Sequence, residues 1–506
     1  MPSGSKRIDM NEPFLKYSVG EGSGAGNVAG KQPATLPAEP QGKGFYHTDF
    51  LLYNAAGKRL YHEAASSLPV IDPHNHVDPA VLATNKRFEN IYGLWVQNDP
   101  YKHRAMRIYG IAEAYITGDR PDYEKFLAWA TCYPHTAGNP LFHWGAMELK
   151  EVFDIDTLLT PKTARQIWET ANRKLAQQGF GALDIVKSLG VEMLCTSDDL
   201  LDPLEHHTTL ASQGEITCLP SLRSDSILAF GQPVFFSWLE TLQVKTAIAV
   251  NGLDAYKEAI INRLNFFDNC GCILSDHSLD SGFIFRPADE ATAGRLFAAV
   301  LKKESLSNDE MIQLQSFFLH FLGMEYAKRR WKMQLHIGAH RYTSSLLRSK
   351  LGQAGGYAGI GNTADVPSLC FFLDGLDKEG LLPKTILYTL NPADNAVFAT
   401  LTGSFAEDGV QGKVQFGPAW WYNDHHEGIV QQLLALSSHG LPGTSIGMTT
   451  DSRSILSFVR HSYYRRILCN LLGSWMEEGK LPEDIEFVAE MVRNICYYNI
   501  KNWIKK

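Results

Sequence analysis

His74 and His76, with Asn75 between them, are the first side chains along this sequence whose type and spacing suit metal chemistry. In an extended segment, residues i and i+2 point to the same side. Two imidazoles at a strand end can therefore hold one divalent ion. A bare HxH pair is a weak signal, but here the apolar run LPVID precedes it and puts the pair at the end of a buried strand. Near the other end of the chain, Asp451 follows the run SIGMTT. Two imidazoles and a carboxylate, with positions left open for substrate and water, suit Zn2+, with Mn2+ as the alternative. Asp451 has a competing use as the cap of a helix starting in SRSILSFV. His336, in MQLHIGAH, reads as a metal ligand or a substrate contact, and Asp276, in SDHSLD, as a further polar group at the metal centre. The planar guanidinium of Arg453 suits a carboxylate or a row of hydroxyls. Trp420 and Trp421 can line a sugar face, whereas Arg460, Arg465 and Arg466 read as the solvated face of a helix.

These groups need a scaffold that brings distant parts of the chain together. Eight short β-rich runs end in polar or small residues: Leu68–Asp72, Glu192–Thr196, Thr217–Leu222, Cys270–Ser275, Lys332–Ile337, Thr385–Leu390, Lys413–Gly417 and Ser445–Thr450. Helical patterns lie between most of them, as at Leu253–Asp268, Asp309–Trp331, Val366–Glu379 and Glu427–Ser438. Strands alternating with helices imply a parallel sheet, and eight such units predict a closed (β/α)8 barrel. Barrel sites are built at the C-terminal strand ends. His74, His76, Asp198, Asp199, Arg223, Asp276, His277, His336, Asn391, Trp420, Trp421 and Asp451 all fall there. In a closed barrel the last strand lies beside the first, which brings Asp451 to the two histidines. The connection between the first two runs is too long for one crossover. Its helical patterns (Tyr123–Ala130, Pro140–Phe153, Pro161–Gln177) predict an insertion over about residues 80–185 that covers the mouth.

The chain has 506 residues, 44% hydrophobic and 20% charged, enough for a core of full size. Residues 46–506 read as one barrel domain. Residues 1–45 read as a flexible arm, because Gly20–Gly44 is rich in Gly, Ala and Pro and poor in large apolar residues. A net charge of −8 argues against nucleic acid or an anionic membrane as the main partner. Eight scattered cysteines without a CxxC pair suit free thiols in a reducing compartment. No apolar run approaches the roughly 18 residues of a membrane helix. With no signal pattern at the N-terminus, a cytoplasmic location is expected.

Several stretches together resemble the uronate isomerase (glucuronate isomerase) family of the amidohydrolase superfamily. They are FENIYGLW, YITGD, EKFLAWA, GNPLFHW, DDLLDPLEHH, FFDNCGCILSDHSLD, EYAKRRWKMQLHIGA, DKEGLLPKTILYTLNPADN, VQFGPAWWYND, GMTTDSRSILSFVRHSYYRRILCNLLG and ICYYN. The resemblance implies a metal-dependent hydrolase type of barrel with a helical insertion. It implies aldose–ketose interconversion of a uronate through a cis-enediol: D-glucuronate with D-fructuronate, or D-galacturonate with D-tagaturonate. It implies metal ligands at His74, His76 and Asp451, with Asp276 and His336 at the same centre. It implies Asp451 as base, Tyr101 as acid and Arg453 on the substrate. The partner is then a small sugar acid, and assembly as a homo-oligomer is compatible with this reading.

The chain departs from the family's pattern in the substrate shell. Pro100 and His103 stand in DPYKHR where the family has DHYKWR, and Gly181–Asp184 lacks an arginine. His340–Ser344 replaces a segment like LRNNN. Two alternatives follow: an isomerase of a related sugar without the usual carboxylate contact, or a metal-dependent hydrolase. A sugar-acid-binding barrel without turnover is a third.

Overall fold

The structure, a computed structural model, describes residues 44–353 and 355–506. Nearly all of the stretch expected to be an N-terminal arm lies outside these residues. At its end, Phe45 meets the Phe50 and Phe142 rings edge-on at 5.4 and 4.9 Å.

The strands are β1 (Val70–Asn75), β2 (Val191–Asp199), β3 (Thr217–Arg223), β4 (Leu274–Leu279), β5 (Lys332–Ile337), β6 (Ala339–His340), β7 (Gly359–Ile360), β8 (Thr385–Thr389) and β9 (Val414–Phe416). Seven of them form one parallel sheet in the order β1-β2-β3-β4-β5-β8-β9. Every residue of β1, β5 and β8 is buried. This is expected where helices cover the outer face and side chains fill the interior. β6 and β7 pair antiparallel with each other and form the base of an excursion over residues 341–358.

Seven of the eight expected strands are present. The eighth run, Ser445–Thr450, occupies its place without a regular ladder. Two backbone bonds tie this region to β1: Asp451 N donates to His74 O (3.1 Å) and His76 N donates to Ser452 O (2.9 Å). Gly447, at φ +79°, interrupts the extended backbone, and a side chain there would meet Ile495 O at 2.5 Å.

Asp72 supplies what the ladder lacks. Fully buried in β1, it accepts from Thr449 Oγ1 (2.7 Å), Thr450 Oγ1 (2.5 Å), Thr450 N and His74 N. Two hydroxyls and two amides satisfy the carboxylate, as a buried charge requires.

Between β1 and β2 lie the helices Pro79–Ala83, Ile91–Trp95, Pro100–Tyr109, Asp122–Cys132, Pro140–Phe153, Ala164–Leu175 and Ala182–Ser188. The helix at Pro100 starts for local reasons. The Asp99 side chain accepts from Tyr101 N and Lys102 N, and proline stands at the first helical position, where no N–H is needed. Gly110, in the left-handed region, ends it.

Arg460, Arg465 and Arg466, expected on a solvated face, are buried on the helix Val459–Glu477. Arg465 donates to the carbonyls of Ala65, Leu68 and Pro69, and Arg466 to those of Thr48 and Phe50. Composition alone hides this, because the partners are backbone oxygens some 400 residues earlier. All eight cysteines are free. Among the described residues, no helix is long and apolar enough to cross a membrane.

Candidate active site

Strand parity builds the centre of the site. Asp72 and His74 alternate along β1, and His76 follows one residue past its end, where it faces the cavity with His74. Asp451 meets the two imidazoles there. His74 Nε2 and His76 Nε2 lie 3.2 and 3.0 Å from the same carboxylate oxygen, Asp451 Oδ1. The other oxygen accepts from Trp420 Nε1 at 2.7 Å. Asp451 sits at φ +44°, a left-handed conformation that aspartate tolerates better than most side chains. It does not cap a helix: Ser454 caps the turn Ile455–Phe458 instead. The sequence left both uses open.

A second group adjoins the first. His74 Nδ1 lies 3.8 Å from Asp276 Oδ2, and the His74 and His336 ring centroids are 4.3 Å apart. His336 stacks on Tyr388, with centroids 4.6 Å apart and planes nearly parallel, and its centroid lies 4.8 Å from that of the tilted Trp420 ring. His74, His76 and Asp451 form one set of donors close enough to share an ion, and His74, Asp276 and His336 form another. The buried nitrogens His74 Nδ1 and His336 Nε2 have no hydrogen-bond partner. Buried polar atoms are rarely left so. Unpaired imidazole nitrogens facing carboxylates are the donor set a divalent cation completes. The residues therefore fit a metal ion.

Electrostatics separates the roles. Burial alone would raise the Asp451 carboxyl, but hydrogen bonds from His74 and His76 outweigh it and hold the group well below the usual range. Burial, reinforced by the neighbouring His74, holds His336 well below the ordinary imidazole value. Burial raises the Tyr101 phenol well above its ordinary value.

A cavity of about 870 Å³ opens over this centre. Four arginines line it: Arg104, Arg223, Arg341 and Arg453. Three are committed. Arg223 pairs with Asp225 and Asp276, Arg341 with Asp280, and Arg104 donates to the carbonyls of Gly356 (3.1 Å) and Ala358 (3.0 Å). Arg453 is exposed and, among the described residues, makes no ion pair or hydrogen bond. Tyr101, Trp420 and Trp421 also face the cavity.

Other polar strand ends point elsewhere. His277 turns to Ser224 and Tyr326. Asp198 is buried beside Thr196 and His207. Leu183, in the segment where a substrate arginine was expected, belongs to the apolar core and does not line the cavity. Pro100 does line it. Sequence reasoning assigned no role to Asp72, Arg104, Arg341, Tyr388 or Asp424. Only Asp72 carried a signal: it stands two residues before His74 on the same strand face.

A family model described as glucuronate isomerase matches residues 43–504. A uronate isomerase of Bacillus licheniformis is 43% identical over 464 residues, spanning 92% of this chain and 98% of the relative. A uronate isomerase of Caldanaerobacter subterraneus subsp. tengcongensis is also 43% identical, over 91% of this chain and 99% of the relative. Among solved structures, uronate isomerase from Thermotoga maritima superposes with a TM-score of 0.85 at 31% identity, covering 91% of this chain and all of that one.

Proposed function

The chain belongs to the glucuronate isomerase family, and from that premise we propose that it interconverts D-glucuronate with D-fructuronate, or D-galacturonate with D-tagaturonate. The observation that carries the assignment of residues is the convergence of His74 Nε2 and His76 Nε2 on Asp451 Oδ1 at the floor of the cavity.

His74, His76 and Asp451 would hold a divalent ion, most simply Zn2+, with Asp276 and His336 beside it. When bound, the ion polarises the substrate carbonyl and fixes the neighbouring hydroxyl oxygens. Isomerisation needs a base at C2 and an acid at the carbonyl oxygen. Asp451 is the base: its low-lying carboxyl is ionised at neutral pH, and Trp420 fixes its orientation. It takes the C2 proton of the aldose and returns it to C1 of the enediol. Tyr101, protonated at neutral pH, gives its proton to the C1 carbonyl oxygen and regains one from the C2 hydroxyl as the ketone forms. Arg453 binds the substrate carboxylate, since the other cavity arginines already have partners. That pairing gives the substrate carboxylate a cation although Gly181–Asp184 lacks an arginine, and it keeps the uronate reading ahead of a neutral sugar. Trp420 and Trp421 offer flat faces to the sugar ring.

The test is ketose formation from D-glucuronate and D-galacturonate by the Zn2+-loaded protein, with neutral aldoses in parallel. A uronate is expected to turn over, and Asp451→Asn to abolish turnover. Turnover of a neutral aldose alone would overturn the carboxylate assignment, and an active Asp451→Asn would overturn the base.

A further inference from the structure

Arg460 is fully buried, and its environment differs from that of its neighbours Arg465 and Arg466. Those two donate to several backbone carbonyls. Arg460 makes its hydrogen bonds through Nη1 alone, to Asp424 Oδ2 (3.1 Å) and Thr450 O (3.3 Å). Its buried Nε and Nη2 have no partner. Its guanidinium instead lies over two rings, 3.8 Å from the centroid of Trp144 and 5.0 Å from that of Tyr101. One planar cation thus touches the face of Tyr101 and the carbonyl immediately preceding Asp451. A planar guanidinium can stack flat on a ring and donate in its own plane at once, whereas an ammonium has no flat face to stack. The Tyr101 hydroxyl is buried and has no partner, so nothing at its own oxygen orients it. Its ring contacts, with Trp144 edge-on at 6.0 Å and with Arg460, do so instead.

We infer that Arg460, held by Asp424, is a positioning residue for the isomerisation: it fixes the Tyr101 ring and the Thr450–Asp451 backbone in one arrangement, so that acid and base meet the same substrate. The inference rests on the roles given above to Tyr101 and Asp451. Misplacing a catalytic group by about 1 Å costs on the order of a hundredfold in rate. Substrate binding through Arg453 is not affected.

The experiment is a double-mutant cycle on the Zn2+-loaded enzyme, using whichever of D-glucuronate and D-galacturonate is turned over. Arg460→Met is expected to lower kcat about tenfold to a hundredfold, with KM within about threefold of the parent. Because part of its effect passes through Tyr101, Arg460→Met combined with Tyr101→Phe is slower than Tyr101→Phe alone by less than the factor that Arg460→Met costs the parent. Multiplied losses would overturn the inference. If Arg460→Met does not fold, Arg460→Lys carries the test, since it keeps the charge beside Asp424 and loses the planar face. Lowered kcat at an unchanged melting midpoint supports the inference, and full kcat overturns it. Tyr101→Phe separates this failure from failure of the functional reading. A fully active Tyr101→Phe removes the acid assignment and the inference with it. An impaired Tyr101→Phe beside fully active Arg460 variants removes the role of Arg460 alone.

Discussion

Replacing Asp72 tests whether one carboxylate substitutes for the missing strand ladder. Asp72 accepts from two threonine hydroxyls, at 2.7 and 2.5 Å, and from the amides of Thr450 and His74 at 3.3 Å each. Hydrogen bonds to a charged group contribute about 1.5–3 kcal/mol each. Counting only the two short ones gives about 3–6 kcal/mol at risk in Asp72→Ala, which also leaves the donors unsatisfied. Asp72→Asn keeps the shape and one acceptor oxygen and also removes the desolvation cost of a buried charge, so its expected loss is about 1–2 kcal/mol. The damage falls on Asp451, because among the described residues two backbone bonds, to His74 in β1 and to His76 just past it, hold the closing segment there. Both variants are to be followed by thermal melting and by Zn2+ content after dialysis against a weak chelator. The expected order is parent, then Asp72→Asn, then Asp72→Ala, with metal retention and melting midpoint falling together. If Asp72→Ala retained metal and melted like the parent, the carboxylate would not hold the closing segment.

Other substitutions reach different parts of the molecule. Leu183→Arg places a cation in the apolar core, so it should lower the melting midpoint or yield insoluble protein without improving KM for a uronate. Arg104→Ala frees the carbonyls of Gly356 and Ala358, so proteolysis within residues 341–358 should speed up and KM should rise. Burial raises the Asp198 carboxyl to about 7 in the folded protein. A raised carboxyl stabilises the fold below the unfolded value near 4 and loses that contribution as pH rises through 7. Asp198→Asn should therefore flatten the fall in stability between about pH 4 and 7, a slope of at most about 1.4 kcal/mol per pH unit for one group. An unchanged slope in urea denaturation would refute this. Chelation should lower the melting midpoint of the parent, and His74→Ala should abolish that shift.

Much of the scaffold was legible in the chain. Seven of the eight apolar runs are strands, and the helix over Pro140–Phe153 has the expected bounds. These elements follow from local chemistry: apolar periodicity, caps such as Asp99, and stops such as Gly110. The HxH pair was legible because strand parity is a property of adjacent residues. The proximity of Asp451 followed from barrel closure, a global rule with a local signature.

What stayed hidden depended on partners distant in sequence. Arg460, Arg465 and Arg466 read as surface charges, because nothing near them shows that the carbonyls of residues 48–69 and the face of Tyr101 await them. Gly181–Asp184 lacks the family's arginine, and position along the chain does not show that Leu183 there turns into the core. The eighth strand looked like the others, but Gly447 interrupts it and Asp72 replaces its ladder with side-chain bonds. Local sequence determines which elements form and which face each side chain takes within them. Whether a charged group is solvated, paired or catalytic depends on what lies across the fold, because its free energy is set by the surrounding dielectric and partners, and only the tertiary structure supplies those.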